Sequence, residues 1–194
     1  MLIAAYLCGS IPSGVLIGRW FGFDPRAVGS HNIGMTNVAR AGGKLPAALT
    51  FVADVGKGLL PTLVGRLLMT NPSYLAGVGF AAFVGSIASV FLGFRGGRGV
   101  ATSLGIWAVL APLPLAMAAA LFAVTLAAYR IVSLASLAAA IALPPLVAAT
   151  GSPRPYILLA ILISALVLVR HHENIRRLVY GEEPRLGSRR AEGA

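Results

Sequence analysis

Apolar runs of about twenty residues, the length a helix needs to cross a bilayer, recur along almost the whole chain, separated by short breaks rich in glycine, proline and arginine. They fall at 1–21, 45–68, 74–94, 99–111, 113–129, 131–150 and 155–169. The run at 99–111 is short because Pro112 and Pro114 break the pattern, so it fits a re-entrant segment as well as a crossing. Residues 99–129 together are too long for one unkinked crossing, which favours two. The pattern predicts an all-α integral membrane protein with about seven transmembrane helices. Only 11% of the 194 residues are charged, too few to coat a soluble domain of this size. The stretches 22–44 and 171–194 are too short to build cores of their own. Residues 1–194 therefore read as one polytopic domain, with 171–194 as a cytoplasmic amphipathic tail. No positive residue follows Met1, and Gly9-Ser10-Ile11-Pro12 interrupts the first run, so a retained first helix is expected rather than a cleaved signal.

Sixteen Lys and Arg against six Asp and Glu leave a net charge of +10. In a soluble chain that excess would suggest nucleic acid; here position decides. Arg19, Arg26, Arg40 and Lys44 follow the first run, Arg95 and Arg98 the third, and Arg130 the fifth. Arg170, Arg176, Arg177, Arg185, Arg189 and Arg190 follow the last. With seven spans, all of these share one face, against Arg66 and Arg154 on the other and Lys57 within a span. Basic residues mark the cytoplasmic side, which predicts an outside N-terminus, a cytoplasmic C-terminus and no nucleic-acid partner. The single Cys8 permits no internal disulfide.

Polar residues gather in four places. The stretch Val28 to Arg40 holds Gly29, Ser30, Asn32, Gly34, Thr36, Asn37 and a terminal Arg40. Glycine-permitted backbone N–H groups, neutral donors and a guanidinium suit a phosphate; a polar turn capping a helix is the equal alternative. In Arg95-Gly96-Gly97-Arg98-Gly99, ahead of Thr102, two arginines can address one anion at the start of a helix, or simply set topology. In the third place, His171, Asn174 and Leu178 share a helical face, with Arg170 and Arg177 nearby. His171 is a candidate proton donor or acceptor; the plainer reading is a basic helix on anionic headgroups. Within the second run, Asp54 and Lys57 stand at i, i+3, where a structural pair comes slightly ahead of a transport or substrate contact. No zinc-type ligand spacing, nucleophile elbow or Walker loop occurs, and no histidine has Asp at the fifth following position, so no metal or cofactor is expected.

Taken together, these elements resemble the bacterial acyl-phosphate-dependent glycerol-3-phosphate acyltransferases over essentially the whole chain. The resemblance is carried by Gly9-Ser10-Ile11-Pro12-Ser13-Gly14, by Gly29-Ser30 with Asn32-Ile33-Gly34 and Thr36-Asn37, and by Asp54 with Lys57-Gly58. Further along it rests on Phe94 with Gly96-Gly97, Gly99-Val100-Ala101-Thr102, Val132-Ser133-Leu134-Ala135-Ser136, and His171 with Asn174-Ile175, Arg177-Leu178, Gly181 and Glu183. It implies acyl transfer from acyl phosphate to sn-glycerol 3-phosphate at the cytoplasmic side of a bacterial inner membrane, with the donor supplied by a peripheral acyl-phosphate-forming enzyme. It further implies that Ser30, Asn32, Asn37 and Arg40 hold one phosphate, with Thr36 alongside. Arg95 and Arg98, assisted by Thr102, would hold phosphate groups, and Lys57 would be a substrate contact. His171 and Asn174 would orient the attacking hydroxyl, and Glu183 would position an arginine. The proton acceptor is either His171 or the acyl phosphate itself.

The chain departs from that family's pattern at His31, where glycine is usual, at Met35, and at Arg95 and Arg98, which replace lysines. Gly85-Ser86-Ile87-Ala88-Ser89 also lacks the family's His and Pro. These departures fit a divergent member. The alternatives are a small anion transporter built on Asp54 and Lys57, or a catalytically impaired phospholipid-binding paralogue.

Overall fold

A computed structural model describes residues 1–187; Arg189 and Arg190 lie outside the described residues, as does the end of the expected tail. The described residues form α-helices and two short 3-10 turns, with no strand among them. Helices α1 (Leu2–Ser10) and α2 (Ser13–Trp20) are one apolar segment broken at Ile11-Pro12, where proline has no N–H for the helix. A loop carrying the 3-10 turn Pro25–Ala27 leads to the short α3 (Met35–Gly42) and the long α4 (Lys44–Leu68). Then follow α5 (Pro72–Ile87), α6 (Val100–Leu110), α7 (Pro112–Tyr129), α8 (Val132–Ala149), α9 (Arg154–Arg170) and α10 (His172–Val179). Prolines mark several starts, as at α5, whose N-cap Asn71 accepts from Ser73 N–H at 2.9 Å.

Among the described residues, five segments are long and apolar enough to cross a bilayer: Leu2–Trp20, Lys44–Leu68, Pro72–Leu92, Pro112–Tyr129 and Val132–Ala149. The pair α9 and α10, bent by 62°, makes a sixth if taken as one. The expected count of seven therefore does not follow from length and composition alone. The difference lies in α6, whose 11 residues rise about 16 Å, roughly half the hydrocarbon thickness.

Helices α4 and α6 pack backbone against backbone. A Cβ on Gly58 would lie 2.0 Å from Thr102 O, and one on Gly105 would lie 2.1 Å from Val55 O, so neither site admits a side chain. Small residues are how membrane helices reach such closeness. The side chains of Phe83, Ile106, Trp107 and Ile163, fully buried, fill the centre among α5, α6 and α9. Leu67, Val124 and Leu158 point outward, as a lipid-facing surface requires. Buried hydroxyls turn back onto their own helices, as Thr50 Oγ1 donates to Pro46 O at 2.8 Å and Thr62 Oγ1 to Gly58 O at 2.7 Å.

The broken first segment is pinned from α4. Lys57 Nζ lies 2.6 Å from Asp54 Oδ1 and donates to Ile11 O at 2.9 Å, while Ser13 Oγ donates to Asp54 Oδ1. With Lys57 7% exposed, the pair is a buried tie between α4 and the α1–α2 break.

Candidate active site

A cavity of about 1730 Å³ opens among α3, α4, α6, α7, α8 and α9. Its polar end collects residues far apart in sequence: Ser30, Asn32, Thr36, Arg40, Arg98, Thr102, His171, Asn174 and Glu183. Its apolar limb runs past Trp107, Leu115, Phe122, Leu143 and Ile163.

Two helices start at the polar end, and neither has a side-chain cap. The N-cap of α3 is Gly34 and that of α6 is Gly99, the latter in the left-handed region at φ 79°. Uncapped first-turn N–H groups together with the helix dipole form an anion-binding end. Both starts line the cavity, through Met35 and Thr36 on α3 and through Val100, Ala101 and Thr102 on α6.

The loop ahead of α3 is organised around Asn37. Its Nδ2 lies 2.6 Å from Pro25 O, 3.0 Å from Val28 O and 2.8 Å from Asn32 O, and its Oδ1 accepts from Ser30 N–H at 2.9 Å. At 2% exposed, Asn37 lines the cavity with its side-chain amide engaged by the loop backbone. Asn32 Oδ1 accepts from Gly34 N–H at 2.9 Å, so its amide shapes the approach to α3. His31 stands in the left-handed region at φ 55° and donates its Nδ1–H to Arg26 O at 2.8 Å. Ser30, Thr36 and Arg40 line the cavity.

The glycine loop ahead of α6 separates its two arginines. Arg98 lines the cavity, whereas Arg95 is exposed and does not. Of the two arginines expected to hold phosphate groups, Arg98 is thus the one placed to reach a ligand in the cavity. Burial pulls Arg98 below the ordinary arginine value; Glu183 opposes this, Arg177 adds to it, Glu173 opposes it and Arg40 adds to it. It stays a cation at any physiological pH. Thr102, 2% exposed, sits on the first turn of α6 at the cavity wall.

At the bend beyond α9, His171 is 1% exposed and donates Nδ1–H to Val167 O at 2.8 Å, which leaves Nε2 as the acceptor of the neutral ring. Burial, opposed by the Val167 carbonyl and reinforced by the Arg98 charge, pushes its pKa down to about 4, so the ring is neutral at pH 7. Asn174 Nδ2 donates to Glu183 Oε1 at 2.5 Å, while the buried Asn174 Oδ1 has no hydrogen-bond partner among the described residues. Glu183 also accepts from Ser133 Oγ at 2.7 Å and from Arg177 Nε at 2.6 Å. Burial would raise the Glu183 carboxyl, but these three hydrogen bonds and the Arg177 charge outweigh it and hold the group below the usual carboxylate value. Lys57 lines the cavity too, with its ammonium engaged by Asp54 and Ile11. Among the described residues, no group of three or more His, Cys, Asp or Glu is placed to hold a metal ion.

Sequence reasoning named Ser133 and Arg170 but gave neither a role in this region. Ser133 opens α8 and reaches Glu183. Arg170 donates to Gly97 O at 3.1 Å and to Gly96 O at 2.7 Å. Neither has a local signal, because each partner lies at least 50 residues away.

Fold and cavity define a polytopic helical membrane protein whose polar end is built for an anion. The model of the glycerol-3-phosphate acyltransferase family matches residues 1–181, so the chain belongs to that family. A glycerol-3-phosphate acyltransferase of Geotalea daltonii is 46% identical over 183 residues, covering 94% of each chain. That of Rubrobacter xylanophilus is 45% identical over 194 residues, covering 100% of this chain and 97% of its own. Among solved structures, the glycerol 3-phosphate form of PlsY (YgiH), an integral membrane glycerol 3-phosphate acyltransferase, superposes with a TM-score of 0.92 at 39% identity, covering 96% of this chain and 94% of that one. Its lysophosphatidic acid form gives 0.89 at 38%, covering 96% and 93%.

Proposed function

We propose that this chain, an acyltransferase of phospholipid synthesis, moves a fatty acyl group from acyl phosphate to the 1-hydroxyl of sn-glycerol 3-phosphate. The products are lysophosphatidate and inorganic phosphate. The observation that carries this reading is the meeting of two uncapped helix starts, α3 and α6, in one cavity with a long apolar limb. Such a cavity suits two phosphate-bearing reactants, one of them with an acyl tail.

Acyl phosphate is an activated mixed anhydride, so the site has mainly to hold two anions together and aim the hydroxyl. In this reading Ser30, Thr36, Arg40 and the α3 start hold one phosphate. Arg98, Thr102 and the α6 start hold the other. The unpartnered Asn174 Oδ1 accepts the hydroxyl proton in a hydrogen bond and so points the oxygen at the acyl carbon. The new bond forms between that oxygen and the acyl carbon, and the bond from the acyl carbon to the phosphate oxygen breaks. The proton passes to the departing phosphate or to His171 Nε2. Glu183 keeps Asn174 and Arg177 in place.

We read the chain as a single seven-span domain of the bacterial inner membrane, with α6 as the short fourth crossing. Its C-terminus and its polar cavity end face the cytoplasm, where a separate acyl-phosphate-forming enzyme supplies the donor. The distribution of basic residues supports this orientation. The test of function is direct. Purified protein given palmitoyl phosphate and glycerol 3-phosphate should yield lysophosphatidate without metal or coenzyme A, and no product under conditions where relatives turn over would refute the reading.

A further inference from the structure

We propose that Arg170 is a positioning residue for Arg98, holding the Gly96–Gly97 backbone so that the Arg98 guanidinium enters the cavity lined by His171 and Asn174. The inference rests on the functional reading above for its kinetic consequence, though not for its geometry.

Gly96 and Gly97 have no side chains with which to pack, and glycine is the residue with most backbone freedom to lose. Whatever holds this loop must come from outside it. Among the described residues, three of its backbone groups are held. Gly97 N–H donates to Ser86 O at 3.0 Å on α5. Arg170 Nη2 donates to Gly96 O at 2.7 Å and Arg170 Nε to Gly97 O at 3.1 Å. Two of the three ties therefore come from one guanidinium. The Gly97 carbonyl belongs to the peptide unit that ends in the Arg98 N–H, so its orientation sets the direction in which the Arg98 side chain leaves the backbone.

Arg170 is also the last residue of α9, next to His171 at the 62° bend into α10. A single side chain thus joins the α9–α10 bend, at which His171 stands and beyond which α10 carries Asn174, to the loop that carries Arg98, across 73 residues of sequence. Arg170 itself is exposed and does not line the cavity, so it acts through Arg98 and not on a ligand. A planar fork with donors at Nε and Nη2 can hold two successive carbonyls, whereas an ammonium on a flexible stem has no such fixed fork.

The experiment compares the unaltered chain with Arg170→Gln, Arg170→Lys, Arg98→Ala and the Arg98→Ala/Arg170→Gln double variant. Two quantities are read: turnover of palmitoyl phosphate with glycerol 3-phosphate, and the rise in unfolding temperature produced by inorganic phosphate. Displacing a catalytic group by about 1 Å can cost about a hundredfold, so Arg170→Gln should lower kcat/KM by about tenfold to a hundredfold. It should also reduce the phosphate response, with Arg170→Lys between the two. In the Arg98→Ala background, adding Arg170→Gln should change neither quantity further, because the two residues act as one unit. Equal losses in both backgrounds, or an unaltered phosphate response in Arg170→Gln, overturn the proposal in favour of a general packing or topology role. If Arg170→Gln does not fold, Arg170→Lys decides alone: unaltered turnover and phosphate response there overturn it as well. Absence of turnover in the unaltered chain counts against the functional reading, and the phosphate response then tests Arg170 separately.

Discussion

Arg95 and Arg98 flank the same two glycines and look equivalent as a string of letters, yet only Arg98 lines the cavity. Replacing Arg98 by alanine should lower turnover by about a hundredfold or more, the scale of losing a charged group from an oriented site, while Arg95→Ala should stay within about twofold; parallel assays of lysophosphatidate formation decide it. Asn37 shows the opposite limit of sequence reading. Its residue type suits a phosphate donor, but its amide is absorbed by the backbone of its own loop. Asn37→Ala leaves those carbonyls unpaired and should destabilise the fold by about 1–3 kcal/mol, seen as a lower unfolding temperature along with weaker glycerol 3-phosphate binding. His171 carries a pH signature. Its pKa is about 4 in the fold against an ordinary 6.5, so the unfolded chain binds more protons between those values. Stability from this group is complete above about pH 6.5 and falls as the pH drops toward about 4. Thermal unfolding of the unaltered chain should show that acid sensitivity, and a His171→Gln chain should lose it.

Elements that carry their own pattern are legible from sequence, and those defined by partners are not. Length and hydropathy locate α4, α5, α7 and α8 closely, because each is a run that a bilayer alone would select. The short α6 is different: its 11 residues hold their place through packing on α4, which no periodicity announces. Gly58 and Gly105, facing each other's helix backbones at about van der Waals limits, are the cause of that packing. Gly105→Leu should force α4 and α6 apart, lowering the unfolding temperature by several degrees and reducing turnover, since Thr102 and the α6 start move with the helix. Unaltered stability in that variant would remove the close packing from the account. Likewise, the glycine loops and the His171–Asn174 face can be picked out by residue type, whereas the ties from Ser133 and Arg170 depend on folded proximity.

For the molecule as a whole, the uneven spread of basic residues makes orientation a measurable quantity. In a Cys8→Ser background, Thr70→Cys, between α4 and α5, should react with an impermeant thiol reagent in intact cells, and Glu182→Cys, beyond α10, only after lysis; the reverse pattern would invert the topology. The Asp54–Lys57 pair bears on how this arrangement is reached during synthesis. Either charge alone in the bilayer centre costs on the order of 3 kcal/mol, and here Lys57 is completed by the Ile11 carbonyl and Asp54 by the Ser13 hydroxyl. The second span therefore emerges from the ribosome with polar groups whose partners were made some forty residues earlier. An N-terminal segment still beside the insertion machinery when they arrive supplies those partners at once, which couples entry of the first two spans into lipid.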